Sequence, residues 1–267
     1  MQLEHYVPPS QHPLEPYVYT IWRIQANRDY TTETILPKGN VALIFNFGDP
    51  IASEDIKIPG NLLPASSAYV AGLYTGSFTN RPQGKVWLMG VSLKVDTCTN
   101  LLTLPLAELT NQIVEARHVF ADAPHWVEPL AEAATFAQQC DLLIGWLMRQ
   151  INPDPHAALV RQACLALRQH PDQARIAEQA QRLHLSTRHL RRLFHQHIGI
   201  GPAAYLQMVR FVQCLHLMST PHTLTQIAQE AHYFDQAHFC RDFKAIAGIT
   251  PQQYRARMGS VPGHLFT

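Results

Sequence analysis

The 267-residue sequence predicts an α+β protein of two domains: a β-rich N-terminal barrel or sandwich with a helical end, and an all-α C-terminal domain holding two helix-turn-helix motifs. Short runs rich in Val, Ile and aromatics, punctuated by Pro and Gly, fill residues 1 to about 95. From Leu101 the apolar period changes towards 3.6 residues. Further on, one helical pattern, apolar on one face and cationic on the other, occurs twice, 49 positions apart. A hydrophobic content of 46% is ample for packed cores.

The expected strands are Tyr17 to Ile24, Val41 to Phe47, Tyr69 to Tyr74 and Val86 to Val95, with turns marked by Pro37, Gly39, Pro50, Pro59, Gly60, Pro64, Pro82 and Gly84. Frequent short strands suit a small barrel or sandwich. Tyr19, Trp22, Phe45, Phe47, Tyr69, Tyr74 and Trp87 are of the type that lines an apolar ligand pocket, and core packing explains them as well. His5 and His12 are isolated and the expected strands contain no His, so neither a metal site nor a cofactor is expected. The stretch Leu101 to Ile151 reads as helical, ending in a run through Phe136, Cys140, Leu143, Leu147 and Ile151 that suits a helix covering the open face of the sheet. Asn152-Pro-Asp-Pro-His156 then stops the helix and makes a stiff linker. The expected domains are 1–151 and 156–258.

In the second domain Ala157 to Gln169 is a supporting helix. Ser186 caps a helix whose apolar side is Leu190, Leu193 and Phe194, while Arg188, Arg191, Arg192 and His195 fall opposite at i, i+3, i+4 and i+7. Asp235 caps the second copy: Phe239, Phe243 and Ile246 form its apolar side, and Ala237, Cys240, Arg241 and Lys244 take the four opposite positions. A short amphipathic helix precedes each, through Ile176, Ala180 and Leu183 in one case and Leu224, Ile227, Ala228 and Ala231 in the other, which makes two helix-turn-helix units. Between them a helix starts at Gly201-Pro202 and runs to about Met218, with an apolar stripe of Tyr205, Met208, Val209, Val212 and Leu215. Thr223-Leu-Thr-Gln226 and Thr250-Pro-Gln-Gln253 are capping boxes. The tail after Gly259 reads as disordered.

Charge divides the chain. Residues 1 to 155 hold 9 Lys/Arg against 15 Asp/Glu, and residues 156 to 267 hold 12 against 5, so a net of −6 faces one of +7. Six of those twelve cations lie between Arg175 and Arg210, which points to a polyanion partner. The five cysteines are widely spaced with no C-x-x-C, which argues against a disulfide framework or zinc ribbon and for a reduced cytoplasm. Neither a secretion signal nor a membrane span is expected. Nucleophile elbow, Walker loop, dinucleotide fingerprint and H-E-x-x-H pair are all missing, so an enzyme is not expected.

The segment Tyr233-Phe-Asp-Gln-Ala-His-Phe-Cys-Arg-Asp-Phe-Lys244, followed by Gly248-Ile-Thr-Pro-Gln-Gln-Tyr-Arg255, resembles the signature of the AraC/XylS family of bacterial transcription regulators. The likeness covers roughly residues 157 to 257 and includes Leu185-Ser-Thr-Arg-His-Leu-Arg-Arg-Leu-Phe194 and the Gly-x-x-Pro-x-x-Tyr run from Gly199 to Tyr205. In both copies a histidine, His184 or His232, stands at a turn position where the family usually has Gly. More weakly, Leu14-Glu-Pro-Tyr-Val18, Leu36-Pro-Lys-Gly39 and Leu43-Ile-Phe-Asn46 resemble the sensor domain of one subgroup. The resemblance implies a sequence-specific regulator reading the major groove of double-stranded DNA, modulated by a small-molecule effector or by homodimerisation through the N-terminal domain, with RNA polymerase as a further partner; the alternative is a DNA-binding or architectural module without an effector. In such regulators the helices before the linker often pack subunits together. The DNA-binding residues expected are Ser186, Thr187, Arg188, Arg191, Arg192 and His195 in the first reader and Gln236, Ala237, Cys240, Arg241 and Lys244 in the second. Arg suits guanine and Gln suits adenine, while His195 and Lys244 are placed for phosphates.

Overall fold

Alternation along the chain builds the N-terminal sheets. The computed structural model describes residues 2–27, 32–55, 61–169, 176–259 and 261–267, so Pro59, Gly60 and Arg175 lie outside the described residues. The strands are β1 (Gln2–Tyr6), β2 (Val18–Asn27), β3 (Glu33–Ile35), β4 (Asn40–Asn46), β5 (Ile51–Asp55), β6 (Asn61–Leu63), β7 (Ser67–Ala71), β8 (Phe78–Pro82) and β9 (Lys85–Lys94). Helix α1 (Leu106–Leu109), β10 (Ile113–Glu115), α2 (Val127–Glu132) and α3 (Phe136–Gln150) complete this half. One antiparallel sheet runs β1-β2-β9-β4-β7-β10. In it Val41, Leu43 and Phe45 face one way along β4, and the register sets them beside Leu93, Val91 and Met89 of β9, all fully buried. Helix α3 covers that face: the Trp146 ring lies edge-on to Phe45 at 6.4 Å, and Arg23 of β2 donates to Gln139 Oε1 at 3.0 Å. The expectation of a covering helix is met, and Leu142 and Met148 on its other side stay exposed.

The C-terminal half contains α4 (Pro155–Gln169), α5 (Ile176–Arg182), α6 (Thr187–Ile198), α7 (Pro202–Met218), α8 (Leu224–Glu230), α9 (Gln236–Ala247), α10 (Pro251–Arg257) and β11 (His264–Phe266). A second sheet runs β11-β3-β8-β5-β6. Among the described residues the two sheets form a sandwich-like arrangement and no closed barrel, which decides between the two architectures expected.

Several expectations are corrected. The tail is ordered: β11 pairs with β3, Leu265 joins the core that holds Leu36, Phe211 and Tyr254, and Gly263 N–H donates to the Tyr254 hydroxyl at 2.9 Å. The strands are more numerous than the four expected: those four are free of histidine, while the additional β1 carries His5 and β11 carries His264. The stretch read as helical contains β10, which takes the free edge of β7. Of the seven aromatics offered for a pocket, Phe45 is core, Tyr69 belongs to a small cluster with Ile51 and Leu63, and only Tyr19 borders the cavity described below. The linker is also pinned, by Asn152 N–H to the Asn100 carbonyl at 2.7 Å and Asp154 N–H to Asn100 Oδ1 at 2.9 Å.

Candidate nucleic-acid interface

Two turns with the same hydrogen-bond pattern set the two readers. In the first, His184 N–H donates to the Gln181 carbonyl and Leu185 N–H to Ala180; in the second, His232 donates to Gln229 and Tyr233 to Ala228. His184 and His232 have φ of 54° and 59°, the left-handed conformation for which Gly is the usual choice. The offset between copies is 48 residues up to this point and 49 beyond it. The extra residue is Phe234, and it stands 93% exposed.

Caps then orient the helices. Ser186 Oγ accepts from His189 N–H at 3.1 Å and Asp235 Oδ1 from His238 N–H at 2.6 Å. Along α6, Leu190, Leu193 and Phe194 are buried while Arg188, Arg191, Arg192 and His195 are all exposed, with Thr187 half-buried at the start. Along α9, Phe239, Phe243, Ile246 and Ala247 are buried; Gln236, Ala237, Arg241 and Lys244 are exposed and Cys240 is half-buried. The structure thus brings each expected set onto one surface of its helix. Burial of each large apolar side chain contributes about 1.5 to 3 kcal/mol, which keeps the polar rows turned outward. One detail changes a role: the Thr225 hydroxyl donates to Gln236 Oε1 at 2.7 Å, so Gln236 has its amide N–H groups left to offer.

The far ends of both readers dock on the N-terminal half. Helix α6 ends at Gly199, with φ of 86°, where an added Cβ would sit 2.1 Å from Thr110 Oγ1; that hydroxyl lies 3.1 Å from the Gly199 carbonyl. Helix α9 ends at Gly248, and Ser77 N–H donates to the Ile246 carbonyl at 3.2 Å.

Hydrophobic packing crosses the same boundary. One core runs from Leu43 and Trp146 through Val160 and Leu167 to Leu190 and Phe194, and a second joins Leu36 and Leu265 to Phe211, Phe239 and Phe243. Between the halves lies a cavity of about 330 Å³, whose lining includes Lys38, Arg168, His216, Met208, Val209 and Val212. Arg168 is paired with Asp96. Lys38 donates to His264 Nε2, whose Nδ1–H reaches Glu33 Oε1 at 2.5 Å; burial pushes the Lys38 ammonium down to about 8 and also lowers the His264 imidazole.

Sequence reasoning missed Phe234, Thr225 and the surroundings of Arg255. The shift from 48 to 49 in the repeat would have found Phe234; Arg255 stood within the family motif without a role.

A helix-turn-helix domain family matches residues 179–257, and a domain family of unknown function matches residues 5–115. An uncharacterized HTH-type transcriptional regulator of Haemophilus influenzae is 35% identical over 95 residues, 35% of this chain and 32% of that one. The arabinose operon regulatory protein of Escherichia coli is 31% identical over 115 residues, 41% of this chain and 39% of its own. The transcriptional activator RhaS of Salmonella arizonae is 31% identical over 84 residues, 31% of this chain and 30% of its own. The chain thus spans well under half the length of these relatives. Among solved structures, unsaturated fatty acid bound ToxT from Vibrio cholerae superposes with a TM-score of 0.56 at 13% identity, covering 90% of this chain and 95% of that one, a likeness of fold.

Proposed function

The C-terminal domain of this chain belongs to the AraC/XylS family of helix-turn-helix regulators, and from that premise we propose that the chain is a sequence-specific DNA-binding transcription regulator. The observation that carries the reading is the exposed row Arg188, Arg191, Arg192 and His195 on α6, whose positions recur as Ala237, Cys240, Arg241 and Lys244 on α9 with Gln236 at its start. Each helix enters the major groove by its capped end. Arg188, Arg191, Arg192 and Arg241 meet base edges, with Ser186 and Thr187 at the groove wall; Ala237 and Cys240 offer apolar contact to a thymine methyl, and His195 and Lys244 meet phosphates.

Residues 1–151 are the effector or dimerisation domain and 156–258 the DNA-binding domain. The cavity between them supports a small-molecule effector with an apolar body and an anionic end, because two cations and a histidine line it together with aliphatic side chains. The fatty acid in the ToxT structure is of that chemical kind. Such a ligand acts against α7, the helix between the two readers, through Met208, Val209 and Val212. A second copy of the chain and RNA polymerase are the partners carried over from the family, and the cytoplasm is its location. Among the described residues no helix is long and apolar enough to cross a membrane.

Catalysis finds no support in the thiols. Burial pushes Cys140 and Cys214 up to about 12, which keeps both protonated and poor nucleophiles. The regulator reading is tested by passing sheared genomic DNA over the immobilised full chain at low salt: a discrete set of fragments should be retained and sequenced. A folded chain that retains no duplex removes the reading.

A further inference from the structure

Arg255 on α10 carries two guanidinium nitrogens, Nε and Nη2, that are buried with no hydrogen-bond partner among the described residues. Its side chain borders an open groove of about 440 Å³ whose other lining residues are Thr223, Leu224, Thr225, Gln236 and Gln252. No carboxylate is among them. A guanidinium remains charged throughout the range in which a protein is folded, and a desolvated charge without a partner is strongly disfavoured. Burial of this kind persists in a native fold when something outside the chain supplies the acceptor. The groove offers amides, hydroxyls and one cation, which is the chemistry of an anion seat.

Its position says which anion. Gln236, the first residue of α9, lies on the groove wall, so the seat adjoins the end of the second reader that enters the DNA. We propose that Arg255, with the Gln252 amide beside it, seats one backbone phosphate of the DNA next to the second reader; the assignment rests on the DNA-binding reading above. The side chain turns into the groove, the phosphate oxygens receive the Nε and Nη2 protons, and α9 is fixed in depth and register. A phosphate contact of this kind adds affinity on every sequence and no base preference. It also offsets the weak hydrogen-bonding capacity of a reader whose central positions are Ala237 and Cys240.

The test uses the full chain and duplexes recovered from a random pool. Arg255→Gln should weaken binding about three- to tenfold on recovered and scrambled duplexes alike, and should flatten the dependence of log affinity on log salt by about 0.9, the share of one phosphate. The ratio between recovered and scrambled duplexes stays unchanged, and Arg255→Lys keeps the steeper slope. A scan with single uncharged methylphosphonates should find one position that weakens the wild type and leaves Arg255→Gln unaffected. An unchanged slope, a lost base preference, or identical methylphosphonate scans would overturn the assignment. So would a lowered melting temperature accompanied by the wild-type slope, which makes Arg255 a structural residue. If the wild type binds no duplex even at low salt, the DNA-binding reading itself fails.

Discussion

Extra base pairs placed between the two half-sites of an operator test whether α7 is a rigid spacer. The helix has 17 residues, and at about 1.5 Å each it spans roughly 26 Å. Adding the flanking helices brings the readers near one DNA turn apart, about 34 Å. An insertion of about 5 base pairs moves the second half-site roughly 17 Å along the axis and half a turn around it. To follow, α9 would have to pull the C-terminal part of α7 out of its core, where Phe211, Leu215 and Met218 are buried. Exposing them costs about 1.5 to 3 kcal/mol each, or roughly 5 to 9 in all. The return is smaller: a base pair is worth about 1 to 3 kcal/mol, and this reader brings Gln236 and Arg241 as its hydrogen-bonding side chains. The chain therefore releases the second half-site and keeps its core. In competition titrations, duplexes with insertions of about 5 or about 10 base pairs should match one whose second half-site is scrambled. Recovery of full affinity with the 10-pair spacer, which restores the face but not the distance, refutes the rigid connection.

Replacing His184 by Gly relieves a left-handed residue that costs about 1 to 2 kcal/mol, partly offset by the freer unfolded chain, so the melting temperature should rise by about 1 to 4 °C; a fall would mean that the imidazole supplies a contact worth more than the strain. Leu265→Ala, at the centre of the docked tail, should cost about 2 kcal/mol and lower the melting temperature by about 4 to 8 °C, whereas no change would mean that β11 contributes nothing to stability. Burial holds His197 and His264 below the ordinary imidazole value, so the unfolded chain binds protons that the folded chain refuses. Their stabilising contribution is complete above about pH 6.5 and is lost as pH falls below it. Urea midpoints measured between pH 7.5 and 5 should decline, less steeply in His264→Gln; an equal slope in that variant removes His264 from the explanation.

The readers were legible because helical periodicity, caps and buried faces are all local. Ser186 and Asp235 cap as expected, Pro202 and Met218 bound the long helix, and the expected rows are exposed apart from Thr187 and Cys240, which are half-buried. The apolar strands β2, β4, β7 and β9 were visible for the same reason. The strands that escaped, among them β1, β3, β8 and β11, are short or polar and are held by pairing with distant partners, which no local pattern encodes. Gly259, Pro262 and Gly263 made the tail look unstructured, but the partner that orders it lies about 230 positions earlier, at Glu33 and Ile35. The cavity was invisible for a related reason, since it exists between elements remote in sequence, and the Arg255 groove depends on how the successive helices α8, α9 and α10 pack, which no single helical pattern encodes.

Hydroxyl-radical footprinting of the full chain on a duplex recovered from a random pool tests the central claim most directly. The wild type should protect two patches on one face of the duplex, about 34 Å apart. The variant combining Arg188→Ala, Arg191→Ala and Arg192→Ala should lose the patch of the first half-site while remaining folded. Protection spread evenly along the duplex, or a recovered pool with no common sequence, would contradict a regulator that reads DNA through α6 and α9.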